Sequence, residues 1–271
     1  MKLSIITINL NNKDGLQKTI DSVVTQTFRD FEWIVIDGGS TDGSKELIEQ
    51  YADYFAYWVS EPDKGIYNAM NKGINEAKGE YLQFLNSGDW LFDSNILSTI
   101  PFGTKADIIY GKCLVHDLSG EVFEYGPHYT EFTPFSLVNA TIAHPASFIK
   151  KNVMIAIGGF DESFKIAADL DFFFNAIICN KATTIYINHN IVHFAGGGIS
   201  MTNTEQTEQE KRNVIAKYLL EGSVTDFNCY TSMLQSKIQV DEKQRGVEVY
   251  EHLYQYWMTR KIMHFLYRIV K

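Results

Sequence analysis

Two acidic residues of this chain lie where α/β proteins bind small ligands, at the expected ends of buried strands. Asp37 closes the apolar run 34–36, and Asp89 follows the run 81–85 after three small or polar residues. Open α/β sheets bind ligands at the carboxyl ends of their strands. One carboxylate at that edge could hold a nucleoside, and another could hold a divalent cation. The alternative for each acid is a helix cap, for Asp89 in front of a helix starting near Trp90.

Polar groups in two further segments could complete such a site. Asp63 and Lys64 precede the helical pattern 66–77, and a helix N-terminus with a lysine favours a phosphate, although both residues could also form a solvated turn. Asp169 and Asp171 begin another helical pattern among apolar residues. Partial desolvation by these residues could hold the pKa of a carboxylate at a value suited to a general base. Because residues two apart do not share a helix face, we expect only one of these acids to be catalytic. Alternatively, both stabilise the helix dipole.

Histidines and cysteines give weaker signals. His144 precedes a strand-like segment, whereas His193 is followed closely by three consecutive glycines. Such glycines can form the hinge of a lid over a ligand, so His193 is the stronger functional candidate, although either residue could be structural. Cys113, Cys179 and Cys229 form no CxxC pair. Their spacing argues against a zinc site or a disulfide framework and is typical of a reducing compartment.

Strand and helix patterns alternate through the first hundred residues. The expected strands are 3–8, 32–37, 57–60 and 81–85, and the expected helices are about 14–27, 42–55 and 66–77. This order predicts an α/β fold with a mostly parallel, doubly wound sheet. Beyond it we expect a hairpin at 106–126, helices near 150–157 and 169–180, strand structure at 183–194, and a helical final ~70 residues.

Composition narrows the class of protein further. The 271 residues are 45% hydrophobic, enough for one large α/β domain with a small C-terminal addition. The net charge of -9 argues against nucleic-acid binding, although a divalent cation would let an acidic protein bind a nucleotide. The chain runs from Met1 directly into a strand pattern, so we expect no signal peptide, and no apolar run reaches the ~20 residues of a membrane span.

Five segments in order resemble the family 2 glycosyltransferases, inverting enzymes of the GT-A fold that use nucleotide-sugar donors. They are residues 4–9, 35–43, 63–73, 79–89, and 158–162 together with 169–171. Each is moderately specific, and together they span roughly residues 1–200. The resemblance implies a GT-A domain at 1–200, with a nucleotide-binding half at about 1–100 and an acceptor half at about 101–200. A helical C-terminal extension follows at 201–271.

The resemblance also implies roles for individual residues. Thr7 and Asn9 would line the nucleobase pocket, and Asp37 would bind the base, most often uracil. Asp63 and Lys64 would lie near the ribose and phosphates. The remaining donor-binding residues that it implies, in the region of the family's acidic metal motif, are Asn86 and Asp89.

Catalysis in this family would use a base and a metal. Asp169 matches the base that deprotonates the acceptor hydroxyl for a single, inverting displacement at the anomeric carbon. Mg²⁺ or Mn²⁺ would neutralise the leaving diphosphate, held by Asp89 with help from His193.

Two glycines depart from the family pattern. Gly38 replaces the second acid of the common Asp-Asp-Gly-Ser sequence, and Gly88 replaces the acid that commonly holds the metal. An inactive nucleotide-binding scaffold in a synthase complex, or a metal-independent variant, therefore stays open. A nucleotidyltransferase is a further alternative, but it should have a Gly-rich, basic loop after the first strand, and residues 9–15 match that poorly.

The last fifteen residues, 257–271, have the pattern of a basic amphipathic helix. Its basic residues fall within a ~100° sector opposite an apolar face; they are Arg260, Lys261, His264, Arg268 and Lys271. Such a helix could lie on anionic lipid, or it could pack on the catalytic domain or on a second subunit as a homodimer contact. We expect a cytoplasmic protein, with peripheral contact to the inner face of the plasma membrane left open. The resemblance implies a saccharide or lipid-linked acceptor in cell-surface polysaccharide synthesis.

Overall fold

One sheet of nine strands organises the computed structural model, which describes residues 1–129 and 131–218. Its strands are β1 (Leu3–Asn9), β2 (Phe31–Asp37), β3 (Tyr57–Ser60), β4 (Tyr81–Phe84), β5 (Trp90–Leu91), β6 (Ile108–His116), β7 (Val122–Tyr125), β8 (Ser147–Lys150) and β9 (Thr184–Ala195). They are ordered β3-β2-β1-β4-β8-β6-β9-β5, and β7 pairs with β6.

Helices connect and cover these strands. They are α1 (Lys13–Val24), α2 (Ser44–Gln50), α3 (Ile66–Glu76), α4 (Pro134–Asn139), α5 (Lys151–Ile157), α6 (Ala168–Phe173), α7 (Ile199–Thr202) and α8 (Thr204–Tyr218). A π-helix, Phe174–Cys179, continues α6 directly. Among the described residues, none of the helices has the length and apolarity needed to cross a bilayer.

The first half of the sheet is parallel. β1 pairs with β2 on one side and β4 on the other, and β2 pairs with β3, all in parallel. Every residue of β1 is buried, as expected for a strand covered on both faces. Connections leave β1 toward β2 on one side and reach β4 on the other, so the strand order reverses between β1 and β4. Open α/β sheets bind ligands at such a point.

The second half of the sheet is mixed. β8 pairs antiparallel with both β4 and β6, β6 and β9 are parallel, and β5 pairs antiparallel with β9. β8 therefore joins the two halves, and it brings the segment that precedes it, around His144, beside the end of β4. This arrangement places the segment around His144 next to the parallel half of the sheet.

Most expected elements are present. The α/β fold class with a parallel first half is confirmed, as is the hairpin, formed by β6 and β7. The alternative that Asp89 caps a helix at Trp90 is wrong, because Trp90–Leu91 is a strand paired with β9. The backbone of this short segment pairs with β9 and does not form a helix.

The chain forms two compact units, Met1–Val214 and Ile215–Lys271. Of the second unit, only residues 215–218 are described, and they continue α8. The predicted basic amphipathic segment 257–271 lies outside the described residues. The predicted division at residue 201 stays a prediction.

Candidate active site

A buried carboxylate joins the ends of β1, β2 and β3. Asp37 accepts hydrogen bonds from Asn9 Nδ2 at 2.7 Å, from the Ser60 hydroxyl at 2.6 Å, and from both the hydroxyl and the backbone amide of Ser40 at 2.6 and 2.9 Å. Its side chain is fully buried. Burial alone would raise its pKa, but these hydrogen bonds outweigh burial and hold the pKa of Asp37 below its usual value. The carboxylate is thus already committed to protein partners.

Thr7 and Asn9 are held in the same way. The Thr7 hydroxyl accepts a hydrogen bond from Trp33 Nε1 at 2.9 Å and is fully buried, so its side chain belongs to the layer beneath the strand ends. Asn9 Nδ2 also contacts the Ser40 hydroxyl at 3.2 Å. Within the described residues, Asn9 Oδ1 is buried without a hydrogen-bond partner. The nucleobase contacts expected of Thr7, Asn9 and Asp37 stay predictions.

Asp63 occupies the space that a side chain at Gly38 would need. A Cβ built on Gly38 would meet Asp63 Oδ2 at 2.7 Å and Leu10 Cδ1 at 3.1 Å. Asp63 is half-buried, and its other oxygen accepts the Gly65 amide at 2.8 Å in front of α3. A carboxylate therefore lies beside the position where the family pattern has its second acid. Lys64 is exposed next to it.

Side chains of α3 clamp the loop that leads to α6. Asn71 Oδ1 accepts the Phe160 amide, and Asn71 Nδ2 donates to the Phe160 carbonyl, both at 2.9 Å. Asn68 and Asn71 each donate to the Glu162 carboxylate, at 3.0 and 2.9 Å. Tyr67 donates to the carbonyl of Ile166. Two of the motifs found in the sequence, 63–73 and 158–162, therefore bind each other.

Glu210 of α8 fixes the same loop from the other side. Its carboxylate accepts the backbone amides of Lys165, Ile166 and Ala167 at 2.8–3.1 Å, immediately before α6. The side chain is buried. Burial alone would raise the pKa of Glu210, but the three amides outweigh it and lower this pKa. The sequence does not predict the roles of Glu210 and of the α3 asparagines, because their partners are backbone groups and the Glu162 carboxylate, far away in the chain.

Asp169 begins α6 and is joined by a hydrogen-bonded histidine to the end of β4. Asp169 Oδ2 lies 3.2 Å from His144 Nδ1, and His144 Nε2 lies 3.1 Å from Asn86 Nδ2. The side chain of Asp169 is 21% exposed, whereas Asp171 is 5% exposed. Asp169 is thus the acid of this pair that can meet a substrate, as a base must. His144 was the weaker histidine candidate, and the structure places it beside Asp169.

Asp89 points into the protein. It is 4% exposed, and its Oδ1 accepts the Ala195 amide at 2.9 Å. Burial raises the pKa of Asp89 to about 7, an effect partly offset by the Ala195 amide and by His144. Gly88 before it has φ +104, a conformation that side chains rarely adopt, so an acid at position 88 would be strained. Asp89 is thus turned away from solvent, and position 88 suits a glycine better than the acid of the family's metal motif.

The predicted metal ligands Asp89 and His193 are both engaged by protein groups. The His193 ring stacks on Trp90 and Phe92, its Nδ1 lies 2.9 Å from His116 Nε2, and it also has a hydrogen bond with the Phe92 backbone. Burial, and then His116, lower the pKa of His193. The ring is thus engaged by His116, by the Phe92 backbone and by the stacked rings. The described residues hold no cluster of three or more His, Cys, Asp or Glu side chains suited to a metal.

The fold, together with the edge at the carboxyl ends of the parallel strands, defines a class of protein. A parallel half-sheet ends in a cluster of polar side chains, and the partly exposed carboxylate of Asp169, on a helix of the second half, faces the same edge. This is the arrangement of GT-A nucleotide-sugar transferases. The family model described as Glycosyl transferase family 2 matches residues 4–166, and the chain belongs to this family.

Curated relatives carry the same assignment. An uncharacterised glycosyltransferase of Mycobacterium tuberculosis is 37% identical over 191 residues, which cover 67% of this chain and 71% of that protein. A glycosyltransferase of PGL/p-HBAD biosynthesis from Mycobacterium bovis is 28% identical over 207 residues, covering 73% of this chain and 79% of the relative. The protein is therefore a glycosyltransferase.

Solved structures agree on the fold. Staphylococcus aureus TarS 1–349 in complex with UDP aligns with a TM-score of 0.62 at 18% identity, covering 84% of this chain and 69% of that one. The match covers 42% of a longer TarS chain. A mannosyltransferase of Pyrobaculum calidifontis, in complex with GDP-mannose and Mn²⁺, aligns with a TM-score of 0.60 at 15% identity, covering 80% of this chain and 63% of that one.

Proposed function

We propose that this glycosyltransferase moves a sugar from a UDP-sugar to a hydroxyl of a saccharide or lipid-linked acceptor, with inversion at the anomeric carbon. Asp169 is the base. Its carboxylate takes the proton of the acceptor hydroxyl while the acceptor oxygen bonds to the anomeric carbon. The bond from that carbon to the diphosphate breaks, and UDP leaves with the electron pair.

One observation carries this proposal: the hydrogen-bonded connection from Asn86 through His144 to Asp169. Asn86 follows β4 at the reversal point of the parallel strands, where such sheets bind nucleotides. The connection therefore sets a partly exposed carboxylate next to the edge where we place the donor. An in-line displacement requires the base to lie close to the donor.

Asp63 and Lys64 complete the donor site in this proposal. Asp63 supplies a carboxylate beside Gly38, and Lys64 supplies a positive charge at the start of α3, suited to a phosphate. The complexes of TarS with UDP and with UDP-GlcNAc support UDP as the nucleotide. The mycobacterial relatives are named for PGL/p-HBAD biosynthesis, which supports a biosynthetic role for the transfer.

No step of this reaction is assigned to a metal. The predicted ligands do not fit one, since Asp89 is nearly fully buried and His193 is engaged by His116 and Phe92. The family resemblance and the Mn²⁺ in the mannosyltransferase complex keep Mg²⁺ or Mn²⁺ as a prediction for this chain. It would have to be bound mainly by the donor diphosphate, as Mg²⁺ often is in phosphate-binding sites.

Calorimetry and turnover test the proposal together. We expect UDP to bind more tightly than GDP, and titrations with and without Mn²⁺ measure the contribution of a metal. With UDP-GlcNAc and UDP-glucose as probes, the UDP released when the sugar is transferred to water or to an added saccharide reports turnover. Asp169→Asn should lower kcat by about 10²–10⁴-fold, because the base is lost, and leave the Kd for UDP unchanged.

Asp53→Asn is the matched control. Asp53 is exposed and lies before the start of β3, at the opposite edge of the sheet from the candidate site, so neither turnover nor UDP binding should change. If neither nucleotide binds, the proposed function is wrong. Binding of UDP without turnover by the wild type would favour the nucleotide-binding scaffold. If UDP binds and Asp169→Asn turns over normally, Asp169 is not the base.

A further inference from the structure

His144 is held on both sides of its imidazole ring. Nδ1 lies 3.2 Å from Asp169 Oδ2, and Nε2 lies 3.1 Å from Asn86 Nδ2. The three residues are far apart in sequence: Asn86 follows β4, His144 precedes β8, and Asp169 lies in α6. The ring is 17% exposed, so a hydrogen-bond partner on each nitrogen replaces most of the water that it would otherwise contact.

The neighbours of the His144 ring determine which of its nitrogens carries the hydrogen. An ionised carboxylate only accepts hydrogen bonds, so Nδ1 must carry the hydrogen that faces Asp169. The amide nitrogen of Asn86 only donates, so Nε2 of the neutral ring accepts from it. Asp169 therefore selects the tautomer in which Nδ1 carries the hydrogen, and Asn86 Nδ2 pairs with the lone pair that this tautomer leaves on Nε2. A base oriented by a donor that is itself oriented by a third group is a recurring catalytic arrangement.

The backbone around His144 is fixed as well. The Ser147 hydroxyl donates to the His144 carbonyl at 2.9 Å, and Gln83 Nε2 of β4 donates to the Pro145 carbonyl at 2.9 Å. The ring thus stands at a defined place between the end of β4 and the start of α6. On the far side, Asp169 Oδ1 accepts the Leu170 amide at 2.8 Å, so the carboxylate is held at both oxygens.

From this geometry we infer that His144 is a positioning residue for Asp169, with Asn86 paired to the other nitrogen of the histidine ring. The inference rests on the proposed function, because it assigns the orientation of the base used there. His144 Nδ1–H fixes the orientation of the Asp169 carboxylate toward the acceptor hydroxyl. His144 does not touch the reacting atoms, and the acceptor proton goes to Asp169.

Two substitutions of similar size separate this role from simple packing. In His144→Asn, the side-chain nitrogen lies two bonds beyond Cβ, as Nδ1 does, so a donor toward Asp169 is retained. In His144→Gln, the nitrogen lies farther out, near the position of Nε2, and the donor toward Asp169 is lost. His144→Phe retains the ring and removes both hydrogen bonds.

The experiment measures kcat and KM of UDP release from the probe UDP-sugar that the wild type turns over faster, with UDP binding by calorimetry. We expect His144→Phe and His144→Gln to lower kcat by about 10–100-fold, part of the factor that general base catalysis supplies. KM for the donor and Kd for UDP should change less than about twofold, because binding is separate from the base. His144→Asn should recover kcat to within about fivefold of the wild type.

Each outcome separates the inference from the proposed function. Equal kcat values for His144→Asn and His144→Gln would overturn the positioning role, even if His144→Phe does not fold. Parallel losses of UDP affinity and kcat in all three variants would make His144 a structural residue and also overturn it. If Asp169→Asn keeps its turnover in the same assay, the proposed base itself is wrong, and the role of His144 falls with it.

Discussion

At the scale of single residues, a carboxylate can be committed either to the fold or to a ligand. Asp37 has four hydrogen bonds from protein groups and no exposed surface, so it locks the ends of three strands together. Asp63 is half-buried beside Gly38 and is more accessible to a ligand. For this reason a loss of UDP binding in an Asp37 variant would mix unfolding with a lost contact, and Asp63 offers the cleaner test.

Gly38→Ala should weaken UDP binding without unfolding the protein. The added methyl would lie 2.7 Å from Asp63 Oδ2, closer than the atoms tolerate, so Asp63 must move. Loss of one hydrogen bond from a charged group costs about 1.5–3 kcal/mol, roughly tenfold or more in Kd, measured by calorimetry.

The matched control for this substitution is Gly103→Ala. A Cβ at Gly103 meets nothing within 4 Å, so affinity and stability should remain those of the wild type. An unchanged Kd for UDP in Gly38→Ala would show that the position of Asp63 does not matter for the donor.

At the scale of elements, the segment before α6 is held by two helices that are distant in sequence. Asn68 and Asn71 of α3 bind the residues around Phe160, and Glu210 of α8 binds three amides immediately before α6. Helix α8 lies beyond residue 200, where the sequence placed the end of the catalytic domain. The residues that position Asp169 therefore reach into the predicted extension.

Glu210→Gln should destabilise the protein by about 1–3 kcal/mol at neutral pH, because buried amides lose a charged acceptor. The lowered pKa of Glu210 means that its contribution is present above the unfolded value of about 4.5 and is lost as pH falls through the folded pKa. The difference in unfolding free energy between wild type and variant should therefore be smaller at about pH 4 than at about pH 7. Urea unfolding at both pH values measures it.

Glu208→Gln is the control on the same helix. Glu208 is 60% exposed in a surface ion pair with Lys211, an interaction that contributes little to stability. Its substitution should change the unfolding free energy by less than Glu210→Gln at either pH. If the effect of Glu210→Gln is no larger than that of Glu208→Gln, Glu210 does not stabilise the segment before α6.

At the scale of the whole molecule, charge is distributed unevenly along the chain. The protein has a net charge of -9, yet residues 257–271 contain four Lys or Arg and no acid. The sequence predicts either a helix on an anionic membrane surface or a helix packed on protein. This segment lies outside the described residues, so the prediction is tested directly in the full chain.

Membrane binding predicts that the full chain co-sediments with phosphatidylglycerol vesicles and much less with phosphatidylcholine vesicles. Each Lys or Arg near an anionic surface contributes about 1 kcal/mol, so a quadruple Gln variant should lose most of this binding. The substitutions are Arg260→Gln, Lys261→Gln, Arg268→Gln and Lys271→Gln. The control variant removes four exposed lysines of the first unit, and they are Lys18, Lys45, Lys105 and Lys181.

Equal binding by both variants, or no binding by the wild type, would contradict the lipid contact and favour packing on protein. Sedimentation of the wild type without vesicles would then show whether a second copy of the chain is the partner.

Local sequence patterns determined the elements, the fold class and the family of this protein. Apolar runs ending in polar residues mark the strands around Asp37, and the acidic helix start marks Asp169, because alternation, capping and turn chemistry act within a few residues. The first half of the sheet follows from these signals, since short right-handed crossovers leave few other topologies.

Only the tertiary structure decided which partners these residues have. It placed His144 rather than His193 beside Asp169, buried Asp89 against the Ala195 amide, and set Asp63 beside Gly38. Each of these contacts joins segments at least 25 residues apart, and a hydrogen bond or a steric contact depends on distances of a few tenths of an ångström. Spacing along the chain carries no such information, because it is the packing of whole elements that sets where their side chains meet.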